Sequence, residues 1–253
     1  MSEPVLETID LQKSFGGIAA TSNVSIRVAE HGVHAVIGPN GAGKTTLLSQ
    51  LSGSLMPDAG EVRFCGKEIT HLPEHQRALL GIARSFQITS IFHDMSVLEN
   101  VALAVQAHAG HSYRFWSDAR QAQELSGPAM AALDQVGLGA RANDSADAMS
   151  HGEHRQLEIA MALASRPKLL LLDEPMAGMG LEESKQMVDI LLGLKGQHTM
   201  LLIEHDMDVV FALADQITVL VYGKVIATGS PDEIRNDPEV RRAYLGDEGQ
   251  SDA

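Results

Sequence analysis

At 253 residues and 44% hydrophobic content, the chain is long enough to bury one sizeable core, or one core with a smaller satellite. Its 19 Lys and Arg stand against 33 Asp and Glu, and a net charge of −14 disfavours binding to nucleic acid or anionic lipid, so any membrane role has to come through a protein partner. No apolar run approaches the roughly 20 residues of a membrane span, residues 1–10 lack the basic flank of a secretory signal, and the single Cys65 excludes an internal disulfide framework.

Alternating apolar residues over 5–15 and 24–28 predict two antiparallel strands, followed by the apolar strand 33–37, which runs into a glycine-rich loop. Residues 45–51 read as a helix, and Pro57-Asp58-Ala59-Gly60 as a turn before a strand over 61–64. From about residue 96 to 139 the composition turns rich in Ala, Gln and Leu, and Val97, Val101, Ala104, Val105 and His108 recur at helical spacing. Further on come a helix to about 165, the strand 168–173, a helix over 181–194, the strand 199–203, a helix over 209–214, strands over 217–221 and 224–228, and short closing helices. Strands alternating with helices predict an α/β fold with a mainly parallel sheet. The expected organisation is a single domain over 1–246, with an N-terminal antiparallel β subdomain and an inserted α-helical subdomain at about 88–165. Residues 247–253 read as a disordered acidic tail.

The run Gly38-Pro39-Asn40-Gly41-Ala42-Gly43-Lys44-Thr45 is a phosphate-binding loop in the required context, between a buried strand and a helix. Its glycines let backbone N–H groups close around phosphates, and the helix start adds partial positive charge. Lys44 then pairs with the β- and γ-phosphates of a nucleotide, which the loop alone does not name, and the Thr45 hydroxyl holds Mg²⁺. The strand Leu169-Leu170-Leu171-Leu172 delivers Asp173 as a second Mg²⁺ ligand. Glu174, expected to turn to the opposite side, is placed to orient or deprotonate the attacking water. A further strand brings Glu204 and His205 to the same edge, with His205 a candidate for contact with the γ-phosphate. Ser150 followed by Glu153 reads as a capping box at a helix start.

In this order the motifs resemble those of the ABC transporter ATPases over nearly the whole chain. They are GPNGAGKTT ending at Thr46, a glutamine loop at Gln87, a signature over residues 149–153, LLLLDEP, and IEHD with His205. More narrowly, ARSFQ, FHDMSVLENV, HGEHRQLEIA, DEPMAGM and the ending EIRNDPEVRRAYLGDE resemble the LivG-like ATPase subunits of branched-chain amino acid importers. The insert bearing Tyr113, Phe115 and Trp116 favours the same group. Urea or amide importers, lipid or lipopolysaccharide exporters and a non-transport nucleotide switch are the alternatives.

The resemblance implies a P-loop NTPase core of the ABC ATPase fold, Gln87 as a catalytic residue and Mg²⁺ contact, and Phe15 stacking on adenine. It also implies a head-to-tail pair of ATPase subunits, as homo- or heterodimer, in which Ser150, Gly152 and Glu153 of one chain meet the nucleotide on the other. The remaining implied partners are transmembrane permease subunits and, indirectly, an extracytoplasmic substrate-binding protein, with this chain peripheral on the cytoplasmic face of a bacterial inner membrane. The apolar residues Phe86, Ile88, Ile91, Phe92 and Met95 are expected to border the surface that receives a permease helix. Two departures stand out: His151 and Glu153 replace the usual glycine and glutamine of the signature, and Gly180 ends the loop after Glu174 where a polar residue is usual.

Overall fold

The computed structural model describes residues 3–84, 91–108 and 119–245. The first strand, β1 (Leu6–Phe15), buries Leu6 and Leu11 and pairs antiparallel with β2 (Ile18–Val24) and β3 (Arg27–Val28). The single strand expected over 24–28 is thus split. The buried Thr8 hydroxyl donates to the Val24 carbonyl at 3.0 Å and accepts from the Ile26 N–H at 2.9 Å, standing in for ladder bonds at the break. Next come β4 (Val33–Ile37), α1 (Lys44–Ser52), β5 (Ala59–Phe64) and β6 (Lys67–Glu68). The first sheet runs β2-β1-β5-β6, with β3 also on β1.

The chain continues as α2 (Glu74–Leu80), β7 (Ile82–Arg84), α3 (Val97–His108), α4 (Ala119–Gln135), α5 (His151–Ala164), β8 (Leu169–Asp173) and α6 (Leu181–Leu194). It closes with β9 (Met200–Ile203), α7 (Met207–Leu213), β10 (Gln216–Val221), β11 (Lys224–Gly229), α8 (Pro231–Asn236) and α9 (Pro238–Leu245). The second sheet runs β11-β10-β4-β9-β8-β7, parallel throughout except for β11 at one edge. Every residue of β4, β8 and β9 is buried, as expected of central parallel strands covered on both faces.

Side-chain alternation along β8 divides the interior. Leu169 and Leu171 join Leu47, Leu48 and Leu51 of α1 and the apolar face of the first sheet. Leu170 and Leu172 join Val97, Val101, Leu133 and Leu157 from α3, α4 and α5, so the helices share a core with the sheet's other face. Register does the rest: Val36 pairs with Ile203, and Ile203 with Asp173, so the loops after β4, β8 and β9 all leave from one edge. Ligands bind at this edge in open α/β sheets, where strand order reverses.

The short elements β6, α2 and β7 were not apparent in the sequence, yet α2 matters to the site. Its Arg77 is fully buried and donates to the carbonyls of Gln50 (2.7 Å), Leu51 (2.9 Å), Thr70 (2.7 Å) and Leu72 (2.9 Å). The first two are orphan carbonyls at the C-terminal end of α1, which a cation satisfies well. The far end of the helix that begins at the glycine-rich loop is thereby clamped. The expected tail at 247–253 and the insert residues Tyr113, Phe115 and Trp116 lie outside the described residues.

Candidate nucleotide site

The loop after β4 is built from close backbone approaches. A Cβ on Gly38 would lie 2.0 Å from the Leu220 carbonyl oxygen, and one on Gly43 2.0 Å from that of Ala20. Gly43 also sits in the left-handed region at φ 103° as the N-cap of α1, and no side chain caps that helix start. We expect Gly43→Ala to lower Tm by on the order of 10 °C in a thermal melt, because the clash is with backbone and cannot relax by rotamer change.

Lys44 is buried, and its Nζ donates to the Gly38 carbonyl at 2.6 Å and the Pro39 carbonyl at 3.1 Å. Burial lowers its pKa, while the facing carboxylates of Glu174 and Asp173 pull it back up. Thr45, one residue on, is exposed, Thr46 half-buried, and Ala42 donates its N–H to Pro39 at 3.1 Å, closing the turn that presents Asn40 and Gly41 to solvent.

Asp173 ends β8 with only 4% of its surface exposed, and its Oδ2 accepts from Arg84 at 3.0 Å. The alternation that would send Glu174 to the opposite side stops here. Glu174 takes a left-handed backbone, φ 46°, and its carboxylate, like that of Asp173, lies within electrostatic reach of Lys44. Such a conformation in a non-glycine residue is a local strain of order 1–3 kcal/mol, carried by the surrounding structure. His205 is exposed beside the buried Glu204, whose carboxylate accepts from the N–H groups of Met176 (3.3 Å) and His205 (3.1 Å) and so ties the loop after β9 to the loop after β8. Burial raises the Glu204 pKa, against the pull of those hydrogen bonds.

Phe15 is 53% exposed at the end of β1 rather than packed in a core, with Lys13 Nζ 5.9 Å from its ring centre. Its hairpin leans on the loop, since β2 meets Gly43 through Ala20, and Gly223 bonds to both Ser22 and Ala42.

Ser150 caps α5 as its sequence pattern suggested: its hydroxyl accepts from Glu153 N–H at 3.3 Å, and Glu153 Oε2 accepts from Ser150 N–H at 2.8 Å. The other Glu153 oxygen accepts from Arg141, so the carboxylate expected to meet nucleotide is already engaged by its own chain. Ser150 Oγ also donates to Glu183 Oε1 at 3.1 Å, and a Cβ on Gly152 would lie 2.8 Å from the same carboxylate. Among the described residues no hydrogen bond or ion pair joins this group to the glycine-rich loop. The structure therefore gathers Lys44, Asp173 and Glu174 at one place and Ser150, Gly152 and Glu183 at another. Gln87 lies outside the described residues.

The family model for ABC transporters matches residues 21–177, and that for branched-chain amino acid ATP-binding cassette transporters matches residues 224–250. The BraF branched-chain amino acid transport ATP-binding protein of Pseudomonas aeruginosa is 39% identical over 98% of this chain and all of its own length. LivG of Salmonella typhimurium, a high-affinity branched-chain amino acid transport ATP-binding protein, is 39% identical at the same coverage. The chain belongs to the ABC transporter ATPase family. Its fold agrees, with a TM-score of 0.84 and 30% identity to the ADP conformation of MJ1267, an ATP-binding cassette of an ABC transporter, covering 97% of this chain and 100% of that one.

As an ABC ATPase the chain is an ATP-binding and ATP-hydrolysing subunit that acts with a second ATPase subunit and membrane permease subunits. No helix among the described residues is long and apolar enough to cross a membrane. The donors gathered here suit ATP with Mg²⁺. The uncapped start of α1 and the glycine turns form a cradle for phosphate. One hydroxyl and one carboxylate are the few hard oxygen ligands that Mg²⁺ takes from protein when phosphate and water complete its shell. Three residues of this ABC ATPase escaped the sequence reading: Arg84, Glu183 and Glu204 as a link between loops. Of these Glu183 left a signal, as the acidic third residue of α6, where it accepts from Gly180 N–H.

Proposed function

We propose that this chain powers an importer for branched-chain or related amino acids. What carries that reading is its full-length likeness to BraF and LivG, with a matching C-terminal segment over 224–250. In the reading, Lys44 and the N–H groups of 38–46 hold the β- and γ-phosphates, and Phe15 stacks on adenine. Thr45, Asp173 and Gln87 would hold Mg²⁺, which when bound would supply positive charge against the phosphates. Glu174 takes a proton from the attacking water, and His205 steadies the γ-phosphate. Ser150 and Gly152 serve the nucleotide of a second chain bound head to tail, which agrees with their separation from Lys44. The domain division proposed is the ATPase core with a helical insertion at about 88–165.

A groove of about 740 Å³ lies along α2 and β7, walled by Leu79, Ile82, Ala83, Ala104, Ala107 and Met161. We assign it to a short permease helix; Ile91 is buried nearby and Phe92 exposed, whereas Phe86 and Ile88 lie outside the described residues. The permeases place the chain on the cytoplasmic face of the membrane, with a binding protein delivering cargo on the other side. The test is uptake of labelled leucine, urea and amides by cells with and without this subunit. Loss of leucine uptake alone is expected; loss of urea or amide uptake instead would reassign the cargo.

A further inference from the structure

We propose that Arg84 is the resident counter-ion of Asp173 and competes with the divalent cation for that carboxylate. The inference rests on the assignment of Asp173 as a cation ligand. Arg84 is the last residue of the edge strand β7, opposite Leu171 in register, so it stands diagonally from Asp173 on the same face of the sheet. Their side chains are 14% and 2% exposed, and the bond is 3.0 Å. A carboxylate this buried would be an uncompensated charge without a cation beside it.

The manner in which Arg84 is held sets it apart from a structural arginine. Arg77 spends its guanidinium on four backbone carbonyls. Among the described residues Arg84 makes a single hydrogen bond, to Asp173, and its buried Nε has no partner. A guanidinium fastened by one arm is free to swing when its partner is taken. A dication arriving at Asp173 would meet a positive charge a few ångströms away in a poorly hydrated site, where repulsion is strong. Arg84 therefore supports the carboxylate while no cation is present and weakens the hold on the cation once it arrives. Arg84 also forms part of the wall of the apolar groove, so loosening the pair frees the strand end that borders it.

The test compares wild type, Arg84→Met and Arg84→Lys in two measurements: thermal unfolding in EDTA, and the magnesium concentration giving half-maximal binding of a β,γ-imido ATP analogue. Arg84→Met should melt about 5–10 °C lower in EDTA yet need about tenfold less magnesium, while Arg84→Lys should stay within about twofold of wild type in its magnesium requirement. An arginine with a purely structural role would lower stability without tightening magnesium, so an unchanged or higher requirement in Arg84→Met overturns the proposal. Should that variant fail to fold, Arg84→Gln is read the same way. The double variant Arg84→Met with Asp173→Asn should regain stability in EDTA, because no lone buried charge remains; failure to regain it also counts against the pair. If wild type itself shows no magnesium dependence, the cation-ligand assignment of Asp173 falls instead.

Discussion

Glu174→Gln is expected to bind ATP at near-wild-type affinity and to hydrolyse it roughly 10²–10⁴-fold more slowly. The substitution keeps size, and an amide still accepts a hydrogen bond from water, but it cannot take a proton. The Glu174 carboxylate acts electrostatically on Lys44, so the change also removes negative charge near the proposed phosphate site. Lys44 should respond as well: losing the Glu174 charge removes one of the two influences that raise its pKa. Measuring phosphate release and equilibrium ATP binding on the same preparation separates the two effects. Turnover within about tenfold of wild type would remove Glu174 from the role of base.

Lys44→Ala is the second large effect. The ammonium is held inside the loop by the carbonyls of Gly38 and Pro39, a position from which it can turn to phosphate by exchanging those acceptors. Its loss takes away the one buried cation at the centre of the loop and leaves those carbonyls without their donor. Affinity for ATP should fall by about 10²-fold or more, in line with a charge-assisted bond to phosphate in a partly desolvated site. Titration with a fluorescent ATP analogue reads this directly, and unchanged affinity would contradict the assignment of the phosphate loop. Stability should change much less, because burial opposes the charged form of Lys44 in the nucleotide-free protein.

Much of this was legible in the sequence because it is written locally. The apolar runs of β4, β8 and β9, the glycine spacing of residues 38–43 and the Ser150–Glu153 cap are short-range patterns. Arg84 was not legible, because its partner lies 89 residues away and β7 is too short to show periodicity. Nor was the left-handed backbone at Glu174, which follows the last residue of β8 and has no local signature in the sequence. Arg77 reads as a surface cation in its stretch of sequence, and only the fold brings it against the end of α1. The ion pair of Glu153 was hidden for a related reason. A carboxylate at a helix start suits either a ligand or its own backbone, and Arg141, brought close by the turn after α4, engages it within its own chain.

The complete burial of β4, β8 and β9 has a consequence for how such a subunit diversifies. Each of these strands ends at a group to which we assign phosphate or water, and each is packed on both faces, so removing even a few methylenes, as in Leu172→Ala, is expected to cost about 2–5 kcal/mol and to disturb the carboxylates beside it. Such strands leave evolution little room for gradual change. A new cargo has to be acquired in the chains that touch it, while this one is inherited as a nearly finished motor.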